Sequence, residues 1–245
     1  MVMAFIEWGL MKSKIRRFTI RIILFSLTFT LYLHSILGST QSTIGTMDIE
    51  ATSDAYVLSD FWEHTNFGSG EVLIVGNNLL EPLLPAKKAL IYLKFDLSEI
   101  KDSEAIINAS LILRAMLVSN ENSLCVYLSN ESGWDEWSIS WSNSPKFDPT
   151  PISCIKVSLS SKEYRWDVTE AVLPLLKQQS SKVTFVIESL NKGEVHFYSR
   201  ETPYGPKLRF YLEIKRHDSI AALIYFSGAA VAIGILSLYL YRKRG

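Results

Sequence analysis

The sequence is poor in the side chains that carry most enzyme chemistry, with four histidines and two cysteines in 245 residues. His34 lies in an apolar N-terminal stretch and His64, His196 and His217 are scattered, so nothing points to a nucleophile–His–carboxylate set. A Gly-x-Ser-x-Gly elbow, a phosphate-binding loop and a His-Glu-x-x-His motif are all missing. Asp135 and Glu136 are adjacent, so on a strand they would point to opposite faces rather than face each other across a sugar. These absences predict a protein that is not an enzyme. An excess of charge of one sign is also lacking, since 25 Lys and Arg balance 25 Asp and Glu. The balance is uneven along the chain, because eight basic residues (Lys12, Lys14, Arg16, Arg17, Arg21, Arg242, Lys243 and Arg244) stand at the ends. Residues 41–219 keep 17 basic against 24 acidic side chains, a net of −7. An acidic exterior argues against nucleic acid or an anionic membrane face as partner. Internal repeats and low-complexity tracts are missing as well.

Long apolar runs are present, one near each end. Residues 220–241 carry no charge, and at about 1.5 Å per residue some 20 residues cross the hydrocarbon layer. Tyr225, Tyr239 and Tyr241 sit near the two ends of this run, where amphipathic rings favour the interface, and Arg242-Lys243-Arg244 follow at once. A transmembrane helix over 220–241 with a cytoplasmic tail at 242–245 is expected. A lipid-anchor signal would end in its apolar tail rather than in a basic cluster. At the other end, basic residues precede an apolar stretch at 22–37 and then Gly38-Ser39-Thr40-Gln41. Residues 1–40 thus read as a signal peptide or, because small residues do not fall at a good cleavage position, an uncleaved signal anchor. Residues 1–10 form an apolar, acidic prefix, and Met11-Lys12-Ser13-Lys14 is the more natural start. Basic flanks at both ends place the middle outside the cytoplasm, as in a single-pass cell-membrane protein of the secretory pathway with an extracellular domain. Cys125 and Cys154 both fall in that exported part. They are expected to form a disulfide, the alternative being two buried thiols that behave as small hydrophobes. Asn108-Ala-Ser and Asn130-Glu-Ser are glycosylation acceptor triplets.

Between the apolar runs, short β-branched and aromatic segments alternate with turn residues. They are Ala55-Tyr-Val-Leu, Val72-Leu-Ile-Val, Leu90-Ile-Tyr-Leu-Lys-Phe, Ser110-Leu-Ile-Leu-Arg-Ala-Met-Leu, Leu124-Cys-Val-Tyr-Leu, Ser138-Ile-Ser-Trp, Ser153-Cys-Ile-Lys-Val, Val183-Thr-Phe-Val-Ile, Val195-His-Phe-Tyr and Leu208-Arg-Phe-Tyr-Leu-Glu-Ile. That spacing predicts an all-β sandwich or barrel. Period-two alternation puts Leu111, Leu113, Ala115 and Leu117 on one face, with Ser110, Ile112, Arg114 and Met116 on the other. Asp167-Val-Thr-Glu170 reads as a capping box for one short helix carrying Val168, Val172, Leu175 and Leu176, with Pro174 implying a kink or an early end. Residues 41–46 and 215–219 read as short linkers.

A series of local patterns occurs in one order: Asp54-Ala-Tyr-Val, Asn66-Phe-Gly-Ser, 72–76, Leu93-Lys-Phe-Asp-Leu-Ser-Glu-Ile, Ile107-Asn-Ala-Ser-Leu-Ile-Leu, Trp134-Asp-Glu-Trp-Ser-Ile-Ser-Trp, Trp166-Asp-Val-Thr, Tyr198-Ser-Arg-Glu and Pro206-Lys-Leu. In this order the set resembles the DNRLRE domain, also classed as carbohydrate-binding module family 96, over residues 48–215. The resemblance implies a jelly-roll-like antiparallel sandwich that binds acidic or neutral polysaccharide, often beside a catalytic domain. The sequence departs from the usual pattern at Phe67, where Tyr is usual, and at Ser140, where Thr is usual. Its 77–88 loop is also longer and more apolar.

Most of the matched residues read as structural. Trp137, Ile139 and Trp141 would share one strand face, expected to be core. Trp62 lies in the polar loop 60–68, outside the family pattern, where an exposed aromatic could stack on a sugar ring. Trp62, Glu63, His64 and Asn66 are therefore the candidate ligand-binding residues, together with Arg200 and Glu201, a fork donor beside a carboxylate. Asp54, Asn66 and Glu201 are candidate ligands for Ca²⁺, which takes such oxygens; no other cofactor is expected. Two readings follow: a membrane-anchored, non-catalytic module that binds polysaccharide or glycan, or a structural envelope protein that contacts other surface proteins.

Overall fold

A computed structural model describes residues 42–79, 86–100, 105–158 and 162–215. The expected signal segment (1–40), transmembrane helix (220–241) and tail (242–245) lie outside the described residues, among which no helix is long and apolar enough to cross a membrane. Residues Ile44–Ile214 form one compact unit.

The elements are β1 (Ser42–Glu50), β2 (Ser53–Leu58), β3 (Val72–Leu79), β4 (Ala86–Asp96), β5 (Ile106–Val118), β6 (Asn122–Leu128), β7 (Ser153–Val157), β8 (Glu163–Asp167), α1 (Thr169–Lys177), β9 (Lys182–Ser189), β10 (Gly193–Tyr198) and β11 (Lys207–Lys215). The strands join in the order β1-β11-β5-β10-β3-β4-β9-β6-β7, with β2 added on β4 and β8 on β5. Their registers are antiparallel, so the fold is an all-β antiparallel sheet with one short helix. The sheet curls into a half-barrel consistent with a β-sandwich, closing on a shared core. That core holds Leu73 and Val75 of β3, Ile91, Leu93 and Phe95 of β4, Trp166 of β8, Phe185 of β9, Phe197 of β10 and Phe210 of β11.

β5 joins the two halves of the curl. Its residues 106–112 pair with β11 and 110–114 with β8, while Ala115, Leu117 and Val118 pair with β10. The register shifts at this changeover: His196 faces Leu117 but Phe197 faces Ala115, which leaves an extra residue on β5. An inserted residue reverses the in–out alternation beyond it. Leu111 and Leu113 are therefore buried as the alternation predicts, whereas Leu117 is exposed and Val118 takes the core position.

Three other expectations fail for local reasons. Residues 42–46, expected as a linker, are the first part of β1, because β11 offers them an open edge. Residues 163–167, not anticipated as a strand, form β8, which buries Tyr164 and Trp166 on alternate positions. Ser138–Trp141 is not a strand at all. Its Ser-rich, acidic surroundings have low strand propensity, and the chain instead turns, with the Ile139 amide donating to the Asp135 carbonyl (2.9 Å). In α1 the N-cap is Val168, with no side-chain cap. Asp167 accepts instead from the Thr169 amide (3.0 Å) and hydroxyl (2.6 Å). The helix ends three residues past Pro174, at Lys177.

The larger part of the sheet is apolar on both faces. Its outer side carries Ala55, Val57, Leu90, Tyr92, Cys125, Tyr127 and Val186, and the segment after β6 folds back to cover them with Trp134 and Ile139. The cover is fastened by polar contacts. Trp134 Nε1 donates to Thr184 Oγ1 (3.0 Å), Tyr92 OH donates to the Pro145 carbonyl (3.0 Å), and Lys94 Nζ donates to the Trp134 carbonyl while standing 4.5 Å over its ring. Beneath it, Cys125 and Cys154 lie opposite each other on β6 and β7, Cα atoms 4.1 Å apart, and are joined by a disulfide.

Candidate functional site

Two loops meet at one end of this cover. The first, 60–68, begins with a 3₁₀ turn at Asp60–Trp62, where Asp60 takes a left-handed backbone (φ 62°). An Asp tolerates that conformation when its carboxylate finds local donors; here these are Ser59 Oγ (2.6 Å) and the Lys87 amide (2.9 Å). Trp62 is not the exposed platform that its polar neighbours predict. It packs edge-on against Phe67, which stacks on Tyr56 (4.7 Å), and helps cover Leu58, Ile74, Leu79, Ala86 and Ala89. Its indole nitrogen is buried without a hydrogen-bond partner among the described residues. The apolar patch beneath the loop claims the ring. Its neighbour Phe61 is the exposed aromatic, at 76%.

Glu63 and His64 are exposed and tie the first loop to the second. The Glu63 carbonyl accepts from the Ser142 amide (2.9 Å), and His64 Nδ1 bonds Ser142 Oγ (3.0 Å). Asn66 is a staple rather than a ligand. Its amide nitrogen donates to the Glu136 and Ile139 carbonyls (2.8 and 2.7 Å), and its Oδ1 accepts from the Gly68 amide (3.3 Å). The loops approach so closely that a Cβ at Gly68 would stand 2.0 Å from the Glu136 carbonyl oxygen, which only glycine permits.

Under this junction lies a cluster of charges. Asp54 of β2 is fully buried, and Glu136 is 4% exposed. Glu136 Oε1 accepts from the Asp54 amide (2.9 Å) and Oε2 from Arg200 (2.7 Å). The Arg200 amide donates to Asp54 Oδ2 (2.7 Å), its guanidinium lies 3.7 Å from Glu201, and Ser199 Oγ donates to Glu201 Oε2 (2.6 Å). Burial pushes the Asp54 carboxyl up to about 8, against the pull of the Arg200 amide. Burial also raises Glu136, with the Asp54 amide and Arg200 opposing it. Carboxylate oxygens of Asp54, Glu136 and Glu201 lie within 4.8 Å of one another. Of the three residues expected to ligate Ca²⁺, the fold thus brings Asp54 and Glu201 together and turns the side chain of Asn66 to other work. Glu136 takes its place. Weighing Glu136 only against its sequence neighbour Asp135 concealed this, because its partners are 82 and 64 residues away.

Trp137 is the other correction. Expected in the core, it is 65% exposed, since the turn that buries Glu136 and Ile139 on either side throws it outward. Farther along the segment, Trp141 and Phe147 line an open groove of about 360 Å³ with Tyr92 and Lys146. Of the glycosylation triplets, Asn108 is half-buried in β5 and accepts from Ser110 Oγ (3.3 Å), while Asn130 is exposed just after β6.

The family model described as carbohydrate-binding module family 96 matches residues 45–212, more than half of the chain and nearly all of its compact unit. The chain belongs to carbohydrate-binding module family 96. No curated protein is significantly similar in sequence. Among solved structures, this family-96 module overlays the CBM22-1 xylan-binding domain of Paenibacillus barcinonensis Xyn10C at 9% identity and TM-score 0.30, over 73% of this chain and 99% of that one. It overlays the CBM22-1–GH10 modules of Clostridium thermocellum Xyn10B, complexed with xylohexaose, at 7% identity and TM-score 0.27, over 70% of this chain and 29% of that one. Overlays this loose carry no argument about the family-96 site.

Proposed function

We propose that the chain is a non-catalytic cell-surface module that binds a neutral polysaccharide, exported and tethered to the membrane by residues 220–241. The observation that carries the binding reading is Trp137. It is a largely exposed indole on a turn tied to three distant segments through Asp54, Asn66 and Arg200. A flat apolar ring held in water forgoes about 2 kcal/mol of burial. A rigid ring has little entropy to lose on stacking against the C–H face of a pyranose. Glu63, His64 and Asp135 on the two loops and Glu201 on the turn after β10 are exposed polar groups, suited to sugar hydroxyls. Arg200, the cation that would greet an acidic sugar, is already engaged by Glu136 and Glu201. The surroundings are therefore acidic, and a uronic chain is disfavoured. Family membership supports carbohydrate binding. Export is supported by the apolar end segments with their basic flanks, and a disulfide fits an oxidising compartment.

The test uses the full chain in lipid nanodiscs, free of maltoside detergents that would themselves compete, on an array of neutral and uronic polysaccharides. Trp137→Ala is expected to weaken binding about five- to tenfold, the equivalent of roughly 1 kcal/mol or more, with the melting temperature unchanged. Loss with Phe147→Ala but not with Trp137→Ala would move the ligand into the groove beside Trp141. Absence of binding to any polysaccharide would leave the surface-protein reading.

A further inference from the structure

We propose that Asp54, Glu136 and Glu201 form a calcium site beneath the junction of the two loops. The three carboxylates come from β2, from the turn before Trp137 and from the turn after β10, and each presents an oxygen within 4.8 Å of the others. Ligand oxygens about Ca²⁺ stand about 2.3–2.6 Å from the metal, so opposed ligands span roughly 4.6–5.2 Å, and the three oxygens fit inside one such sphere.

An acidic cluster alone is not a site, and a second observation points to a ligand here. Asp54 is fully buried, and while its Oδ2 accepts from the Arg200 amide, its Oδ1 is buried with no hydrogen-bond partner among the described residues. An unmet carboxylate oxygen in the interior costs free energy unless a cation or a donor reaches it. The charges also match. Once a cation displaces the Asp54 proton, three carboxylates less the Arg200 guanidinium leave two negative charges in the cluster, which one divalent ion neutralises. The donors are oxygens throughout, without the imidazole or thiolate that favours zinc. Mg²⁺, which requires near-octahedral ligands at about 2.0–2.1 Å and keeps its water, suits this carboxylate cage less well than Ca²⁺. Arg200 bridges Glu136 and Glu201 from the solvent side, so the ion completes an alternating arrangement of charge. Bound there, it pins β2 and both turns together.

The experiment uses the full chain in nanodiscs, stripped with EDTA and titrated with CaCl₂ or MgCl₂ alone. Calcium is expected to raise the melting temperature saturably, by about 5–10 °C at a concentration a hundred times the dissociation constant, and magnesium by much less. Tb³⁺ in place of Ca²⁺ should show luminescence excited through the nearby tryptophans and quenched by added calcium. Asp54→Asn is expected to fold without EDTA sensitivity and to lose both responses. Glu201→Gln, at a more exposed position, should weaken them severalfold. A melting temperature indifferent to millimolar calcium, an equal response to magnesium, or full responses in both variants would overturn the assignment.

Discussion

Asn66 separates two accounts of the loop junction, because sequence reasoning makes it a ligand and the structure makes it a staple. Its side-chain nitrogen holds the Glu136 and Ile139 carbonyls at 2.8 and 2.7 Å. Asn66→Ala removes two hydrogen bonds worth about 1 kcal/mol each net, and leaves the carbonyls of two buried residues, Glu136 and Ile139, without that donor. The expected cost is about 2–3 kcal/mol. For a domain of this size that is a fall of about 5–10 °C in melting temperature. Asn66→Asp should be at least as costly, since it replaces a shared donor with a carboxylate oxygen facing two carbonyls. The assay is thermal denaturation followed by tryptophan fluorescence, with polysaccharide binding measured well below the transition. Binding should weaken along with stability, because the turn that presents Trp137 loses its tether. A variant as stable as wild type that has lost only binding would refute the staple and restore Asn66 as a ligand.

Replacing both Cys125 and Cys154 by Ala opens a closure of 29 residues, and chain entropy puts the cost at about 3–4 kcal/mol; denaturant midpoints with and without reductant check it. Trp166→Ala removes a fully buried indole whose nitrogen donates to the Leu124 carbonyl (3.1 Å), and should cost about 3–5 kcal/mol or prevent folding. In EDTA, stability should decline as pH rises from about 4 towards 8, and Asp54→Asn should flatten that decline. The sign follows from Asp54, whose folded pKa is pushed up to about 8: the folded chain holds the extra proton, so its contribution is complete below the ordinary carboxylate range and is lost as pH rises through 8. Asp48 and Asp167, held low by Arg209 and Thr169 respectively, act in the opposite sense, and only at pH below about 4. Urea melts across pH 5–9 would refute the Asp54 argument if the slope rose or if the variant kept it.

The strands were legible where one residue pattern answers to one face. In β11, Leu208 and Phe210 are buried while Arg209 and Glu213 face outward, as alternation predicts. Legibility failed where a second partner intervened. The β5 bulge, which exposes Leu117, depends on β10, some 80 residues later. The segment 138–141 reads as a strand only if its Ile and Trp are weighed and the Asp, Glu and Ser in and before it are not. Trp62 and Trp137 exchanged roles for the same kind of reason. An aromatic in a polar loop is exposed only if no apolar patch lies within reach, and the patch under Trp62 is built from β2, β3 and β4. Arg200 and Glu201 were nominated from adjacency. Their partners Asp54 and Glu136, 146 and 64 residues away, become neighbours only through the sheet order.

That sheet order also explains why the candidate site sits where it does. Strands β2, β4, β6 and β9 carry apolar side chains on both faces, so the outer face must be covered, and the covering segment cannot form a strand while its carbonyls accept from Asn66 and Lys94 and its Ser142 amide donates to the Glu63 carbonyl. An irregular segment over an apolar face is stable only if its polar backbone is satisfied from elsewhere. Here the partners are charged or amide side chains from distant strands and turns. Glu136, in the cover itself, ties it down in the other direction by accepting from the Asp54 amide: buried, it needs Arg200, and Arg200 in turn fixes Asp54 through its amide. The chain of dependence runs from the apolar outer face to the cover, from the cover to its staples, and from the staples to the buried carboxylates. Trp137 alone stands outside this chain. Trp134 and Ile139 cover the sheet and Glu136 holds the turn, but the indole between them is 65% exposed. A side chain of that size and exposure, carried on so fixed a turn, is what the proposed stacking on a sugar ring requires.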